Sequence, residues 1–449
     1  MSSFTTHRRL ISQAMIAVVA LMGLWQIFVN SFGLHPLLVR RKDFIQEYLL
    51  AKAVLTRTEP YRPLPEMAAA LLNFPPDEMI PHPATHPPPM AVISLPLALL
   101  TYSQAAAVWF VLEIVFVGIS CYLLLRWWGV LPLPVRVATA TMMAFVWSPL
   151  GDEVLVGQLN TLLLLLLLLA WLRLRNGKAA EGGAWLGGAL IVKLMAWPIV
   201  LFLLLQKNWR AVITSGVVVV TGHLAAILLM GWESVINYYL KVAPAVPPLV
   251  RANEGNFSIW SLGWRLFEGV HCDILYSSTA PPLIESPGAA RVVSFLAPLV
   301  LLGVGFRLAS RASHFDHAFS ILVCVSVLAN PIVWSHYLVI IAIPLAVAFR
   351  ALSTGGWPRR IYIVAGAIGG LLFLPRMEML HLMALFKVSE TVNLRRMVIP
   401  QVPFTAGLIT LIPMIAVLGL MWLLWRLDQR KTAELSASEP QSEMCIAVE

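Results

Sequence analysis

Along most of this chain the hydrophobic positions do not alternate with polar ones. They run on in uncharged blocks of about 20 residues, the length an α-helix needs to cross the roughly 30 Å hydrocarbon layer. The first block, about residues 10–29, follows His7-Arg8-Arg9; it is too long for a signal-peptide core and lacks a small-x-small cleavage site, so it reads as a retained first helix with a cytoplasmic N-terminus at residues 1–9. Further spans are expected near 104–126, 133–149, 155–173, 183–205, 211–231, 288–309, 317–331, 335–350, 360–375 and 404–426. The pattern predicts an all-α polytopic membrane protein of about 11 to 13 transmembrane helices. The membrane domain covers 10–426, and 427–449 form a polar, disordered cytoplasmic tail.

Composition sharpens this reading. The chain of 449 residues is 59% apolar and 12% charged, with a mean hydropathy of +0.79. Soluble proteins carry about 25% charged residues, so a soluble enzyme, a secreted disulfide scaffold and a disordered chain are all excluded. The excess of 32 Lys+Arg over 23 Asp+Glu sets orientation and gives no reason to expect nucleic acid as a partner. Cys121, Cys272, Cys324 and Cys445 form no CxxC pair, which predicts neither a disulfide framework nor a metal cluster.

Basic loops at 126–136, 173–178, 207–210, 307–311, 350–360 and 426–431 belong on the cytoplasmic side by the positive-inside rule. Two of them, 173–178 and 207–210, are separated by a single apolar stretch, 183–205. That stretch carries Lys193 and Pro198 near its middle, so it reads as a broken pair of short helices that turns back at the outer surface. Most acidic residues then fall on the outer side, where two long loops, 30–89 and 232–287, are the places to look for chemistry.

Phe44, Tyr48, Ala51 and Leu55 recur at helical spacing in the first loop, which predicts an amphipathic interfacial helix over 43–57 with Asp43 at its start, where a carboxylate also serves as a cap. His86-Pro87-Pro88-Pro89 leads into an apolar run, 90–100, too short for a full crossing. Gln158 and Asn160 follow Asp152-Glu153 at the outer end of a leucine-rich helix, where amides serve either substrate or a neighbouring helix. Lys193, an ammonium inside an apolar run, either meets an anion or water or snorkels to the interface. Asn256 and Ser258 precede a second expected interfacial helix carrying Arg265, which faces lipid headgroups or binds a phosphate. His336, before Tyr337, falls at the same membrane surface.

Taken in order, these blocks resemble glycosyltransferase family 87, the polyprenyl-phosphate-mannose-dependent mannosyltransferases of the GT-C superfamily. The matching positions are Asp43 with Tyr48 and Pro60-Tyr61, Pro87-Pro88, Gly157-Gln158 with Asn160, Lys193 with Pro198, Asn256 and Ser258 before Arg265, and His336-Tyr337 followed by Pro344. The chain departs from the pattern at Arg57-Thr58-Glu59, where a glycine is usual, and at His86, where an aromatic is common. The resemblance implies a GT-C fold and an inverting, metal-independent transfer of a hexose, mannose, from a lipid-linked monophosphate to a glycolipid or other acceptor. The reaction would take place at the external face of the plasma membrane, with both termini cytoplasmic. It implies Asp43 as general base, His336 either sharing that catalytic role or orienting the phosphate or acceptor, Lys193 and Arg265 on the donor phosphate, and Gln158, Asn160, Asn256 and Tyr48 on sugar or acceptor. It implies no cofactor beyond the lipid-linked donor, and the bilayer as partner.

Two other functions share this span count. A transporter or flippase of lipid-linked sugars would gather ionisable residues at mid-membrane, whereas Glu113 is the acid that falls well inside a span. A lipid-diphosphate-dependent ligase or polymerase would share the architecture and differ in its donor.

Overall fold

The computed structural model describes residues 2–75, 82–271, 278–374, 376–392 and 398–438. α1 (Ser2–Ser31) leads to four shorter helices, α2 (Ile45–Thr56), α3 (Leu64–Leu72), α4 (Pro89–Ile93) and α5 (Leu95–Ala98). The long α6 (Tyr102–Trp127) is followed by α7 (Pro134–Ala144), α8 (Ser148–Val156), α9 (Asn160–Arg175), α10 (Ala179–Val192), α11 (Trp197–Leu205) and α12 (Trp209–Met230). Short helices α13 (Trp232–Asn237), α14 (Ala243–Val250) and α15 (Ser261–Phe267) then precede α16 (Pro287–Ser310), α17 (Phe315–Leu328), α18 (Ala342–Ser353) and α19 (Arg359–Phe373). The chain closes with α20 (Arg376–Ala384), an antiparallel pair β1 (Ser389–Val392) and β2 (Val398–Gln401), then α21 (Phe404–Gly407) and α22 (Ile412–Ser438).

Among the described residues, six helices are long and apolar enough to cross a membrane: 10–34, 102–127, 209–230, 287–310, 335–353 and 404–429. The sequence predicts more spans because apolar runs such as Ala179–Val192, Leu194–Leu205 and Phe315–Leu328 are shorter helices. α17 is buried from His317 to Leu328, so its hydrophobicity serves the interior of the bundle.

The expected break in 183–205 is present, and its cause is local. α10 ends at Val192, Lys193 is extended (φ −147°, ψ 133°), and one 3₁₀ turn, Leu194–Ala196, joins it to α11. Pro198 sits in the first turn of α11, where its missing N–H costs nothing and its ring blocks continuation from the preceding turn. α10 packs on α12 through Gly183 and Gly187, a small-xxx-small pair. A Cβ there would stand 2.2 Å from the Ala211 carbonyl oxygen and 2.7 Å from that of Ser215.

Three expectations change. α2 is buried from Ile45 to Ala51 and is not interfacial. Its two faces are two kinds of interior contact: Gln46 and Glu47 meet the 85–86 segment, while Tyr48, Leu49 and Leu50 fill a core with Tyr102 and Trp109. α15, the second expected interfacial helix, lies against α16 so closely that a Cβ on Gly263 would be 2.3 Å from the Ala290 carbonyl oxygen. α22 continues the last span as helix to Ser438, so the expected disordered tail over 427–449 begins helical, and 439–449 lie outside the described residues. Cys121 and Cys324 are free thiols, and the other two cysteines also lie outside those residues.

Candidate active site

The site is built on the C-terminal end of α8. A helix end leaves carbonyls without partners and favours cations. Here the Lys42 ammonium donates to the Val154 and Leu155 carbonyls at 3.0 and 2.7 Å, and the Asp43 N–H donates to that of Val156 at 2.7 Å. Gly157 ends α8 in the left-handed region at φ 71°, where a Cβ would lie 3.2 Å from Phe44 Cβ. Phe44 stacks on Trp109 with centroids 5.4 Å apart, and Trp109 donates its indole N–H to the Gln158 carbonyl. Lys42, Asp43 and Phe44 are therefore fastened to the same turn that presents Gln158.

Asp43 does not cap α2. Its Oδ2 instead accepts from Gln158 Nε2 at 2.9 Å. The same amide accepts through Oε1 from Lys193 Nζ at 3.3 Å. Lys193 also donates to Asn160 Oδ1 at 3.0 Å, and its Nζ lies 3.7 Å from the centroid of the Tyr337 ring, a cation–π contact. Asn160 Nδ2 donates to Glu153 at 2.7 Å, and that carboxylate takes the backbone N–H groups of Asn160 and Thr161, capping α9. Asp43, Gln158, Lys193, Asn160 and Glu153 thus form one polar chain.

Burial pushes the Asp43 carboxyl above its ordinary range; the Gln158 hydrogen bond opposes that, and nearby Glu47 adds to it. Burial likewise pushes Glu153 up to about 7 against the pull of Lys193. His336 is buried on the 3₁₀ turn Ser335–Ile341, with its ring centroid 5.0 Å from that of Tyr337. Ser335 fixes this turn by donating to Asp152 of α8 at 2.6 Å.

Beside the polar chain lies a cavity of about 340 Å³ whose lining includes His86, Lys193 and Tyr337 at a polar end. Leu194, Trp197 and Val246 are part of its apolar wall, and Leu194 and Trp197 remain exposed. The segment carrying His86 is tied down along its length. Gln46 accepts from the Thr85 N–H at 3.0 Å, Tyr238 donates to the Thr85 carbonyl at 2.9 Å, and Tyr61 to that of His86 at 3.0 Å. His86 Nδ1 meets the buried Glu47 carboxylate. Glu47 was not among the expected site residues, although it stands four residues beyond Asp43, a spacing that would put both on one side of the helix expected over 43–57.

Three candidate residues are engaged elsewhere. Arg265, expected on a phosphate, is buried and donates to the carbonyls of Asn253, Glu254 and Asn256 and to Thr410 Oγ1. Asn256, expected on a sugar, gives its NH₂ to the Val250 and Pro331 carbonyls and receives the N–H groups of Ser258 and Val333. Tyr48 donates to the Leu100 carbonyl at 2.8 Å inside the core. Among the described residues, His314, His317 and Asp428 place potential metal-ligand atoms within 4.8 Å of one another. His314 and His317 lie at the start of α17 and Asp428 on α22, while Asn330, just past the end of α17, lines the cavity, so the two places are about 20 Å apart at 1.5 Å per residue.

The chain is thus a multi-pass helical membrane protein in which a carboxylate, an amide and a lysine gather beside a cavity with an apolar wall. The chain belongs to glycosyltransferase family 87, whose model matches residues 84–331, more than half of its length. The chain is also similar to two curated alpha-(1->3)-arabinofuranosyltransferases of Mycobacterium tuberculosis, from strains CDC 1551 / Oshkosh and ATCC 25618 / H37Rv. Each is 24% identical over 166 residues, which cover 36% of this chain and 37% of the relative. The chain thus spans little more than a third of the curated relatives it matches. No solved structure matches it.

Proposed function

We propose that this membrane glycosyltransferase takes a hexose, mannose, from a polyprenyl-phosphate donor and attaches it to a glycolipid or other acceptor with inversion. The reaction takes place at the external face of the plasma membrane, and both termini are cytoplasmic. The observation that carries the reading is the linkage of Asp43 to Lys193 through Gln158 beside an apolar-walled cavity. A lipid-linked donor asks for those parts together: a wall for the polyprenyl chain, a cation for the phosphate, and a base for the attacking hydroxyl.

In this mechanism Asp43 takes the proton of the acceptor hydroxyl as its oxygen bonds to the sugar C1. The C1–O bond to phosphate breaks, and its electron pair leaves with the phosphate, beside Lys193. Side chains supply the positive charge, so no metal is required. Gln158 holds base and cation in register, and Asn160 contributes to the sugar site. His336 supports this face through Tyr337, whose ring lies under the Lys193 ammonium. The named activity of the Mycobacterium tuberculosis relatives makes an arabinofuranosyl donor the competitor to test.

The test is transfer of labelled sugar from synthetic polyprenyl-phosphate-mannose, and in parallel from the arabinofuranosyl donor, to membrane lipid extract with a chelator present. Transfer of mannose by wild type and its fall by about 10² to 10⁴-fold in Asp43→Asn are expected. Transfer from the arabinofuranosyl donor alone would replace the sugar. Absence of transfer from both by folded protein would overturn the reading.

A further inference from the structure

Lys193 stands in a negative surround, within electrostatic reach of Asp43, Glu47 and Glu153. A donor phosphate carries one negative charge in the bound phosphodiester and gains a second as the C1–O bond breaks. One ammonium shared with three carboxylates is a poor match for that change. Two other cations are engaged elsewhere: Lys42 on the carbonyls that end α8, and Arg265, expected on the phosphate, on the carbonyls of 253–256.

His86 lines the same cavity as Lys193. Its Nδ1 faces the Glu47 carboxylate, which is 1% exposed and has no hydrogen-bond partner for Oε2 among the described residues. A buried carboxylate without a full set of donors is costly, and the His86 ring nitrogen is the group that faces it. The segment is preorganised, because Thr85 and His86 are held by three side chains from α2, the 57–63 loop and the turn at Tyr238. Nothing in the packing explains a buried glutamate under a cavity-lining histidine, since an apolar pair of similar volume would cost less.

We propose that His86, seated on Glu47, is the second cationic ligand of the donor phosphate, acting with Lys193 across the cavity. This rests on the lipid-phosphate donor reading given above. Between two anions, the imidazole donates from both ring nitrogens, which only its protonated form can do. Glu47 is the positioning residue: it fixes the ring and supports its charge from the side away from the ligand.

The test measures binding of farnesyl phosphate, with farnesol as the uncharged control, to purified full-length protein in detergent by isothermal titration calorimetry. Wild type is compared with His86→Gln and Glu47→Gln, each checked for monodispersity and thermal unfolding. The expected result is a loss of about tenfold or more in farnesyl phosphate affinity in both variants, equivalent to about 1.4 kcal/mol, with farnesol affinity unchanged. If His86→Gln fails to fold, Glu47→Gln alone carries the test, because it keeps the ring and changes only its support. Wild-type affinity for farnesyl phosphate in the folded variants overturns the assignment and leaves the donor reading standing. A wild type that does not bind farnesyl phosphate removes the donor reading, and this inference with it.

Discussion

Asp43 and Lys193 hang on opposite ends of one amide: Gln158 donates to the first at 2.9 Å and accepts from the second at 3.3 Å. An amide serves a carboxylate and an ammonium together, donating through its nitrogen and accepting through its oxygen, and Asn160 repeats the arrangement between Lys193 and Glu153. Replacing Gln158 by leucine keeps the volume and removes both bonds. We expect transfer to fall about 10²-fold, the scale on which misplacing a reacting group acts, together with a lower unfolding temperature, because the buried Asp43 carboxylate loses its donor. Steady-state kinetics with a melting curve on the same preparation checks this.

The environment of Asp43 sets the acid limb of the pH profile. A general base works ionised, and burial holds this carboxyl above its ordinary range. Transfer is therefore expected to decline, as pH falls, at a higher pH than an exposed aspartate would give. The hydrogen bond from Gln158 opposes the upward shift, so Gln158→Leu moves the limb higher still. A log-rate profile of both proteins is the measurement, and a wild-type limb at the value of a free aspartate counts against Asp43 as the base.

Arg265 behaves as a structural residue in this geometry. Its guanidinium gathers three carbonyls of the 253–256 turn and Thr410. Arg265→Leu leaves those buried acceptors without donors, at about 1–3 kcal/mol for each one that water cannot reach. The expected result is a lower unfolding temperature with donor KM unchanged in the folded fraction. A raised KM at unchanged stability would return Arg265 to the phosphate.

The α10–α12 contact gives a prediction about packing alone. Gly187→Val places side-chain atoms where even a Cβ is 2.7 Å from the Ser215 carbonyl oxygen, so the helices must separate. A loss of about 1–3 kcal/mol is expected, read by chemical or thermal unfolding in detergent. Gly216→Val on the facing helix, where a Cβ meets nothing within 4 Å, should leave stability close to wild type.

Much of the site could be read from the chain itself, for a definite reason. Asp43, Gln158, Asn160 and Lys193 are polar groups in strongly apolar surroundings, and burying such groups is costly unless they meet one another. The break at Lys193 was legible because Pro198 enforces it. Arg265 and Asn256 misled because a polar residue that binds a ligand and one that holds a turn look alike in sequence. The distinction lies in carbonyls at 250–256 and 331 that only the fold brings within reach. Periodicity placed the helix of α2, but the face expected to meet water is buried against Thr85 and His86, 39 residues away along the chain, while Leu55 of the expected apolar face is exposed.

The docking of Lys42, Asp43 and Phe44 onto the end of α8 has a dynamic consequence. The carboxylate and the amide that orients it are carried by one helix terminus, so any tilt of α8 transports them as a single rigid piece, and their separation is insensitive to breathing of the bundle. Under the proposed lipid-linked donor, admission of the lipid and release of its carrier would then fall to the wall where the proline-bearing α14 and the π-helical turn Tyr238–Val242 border the cavity. The turnover rate would be set there, by how fast that wall yields, while the reacting groups stay aligned.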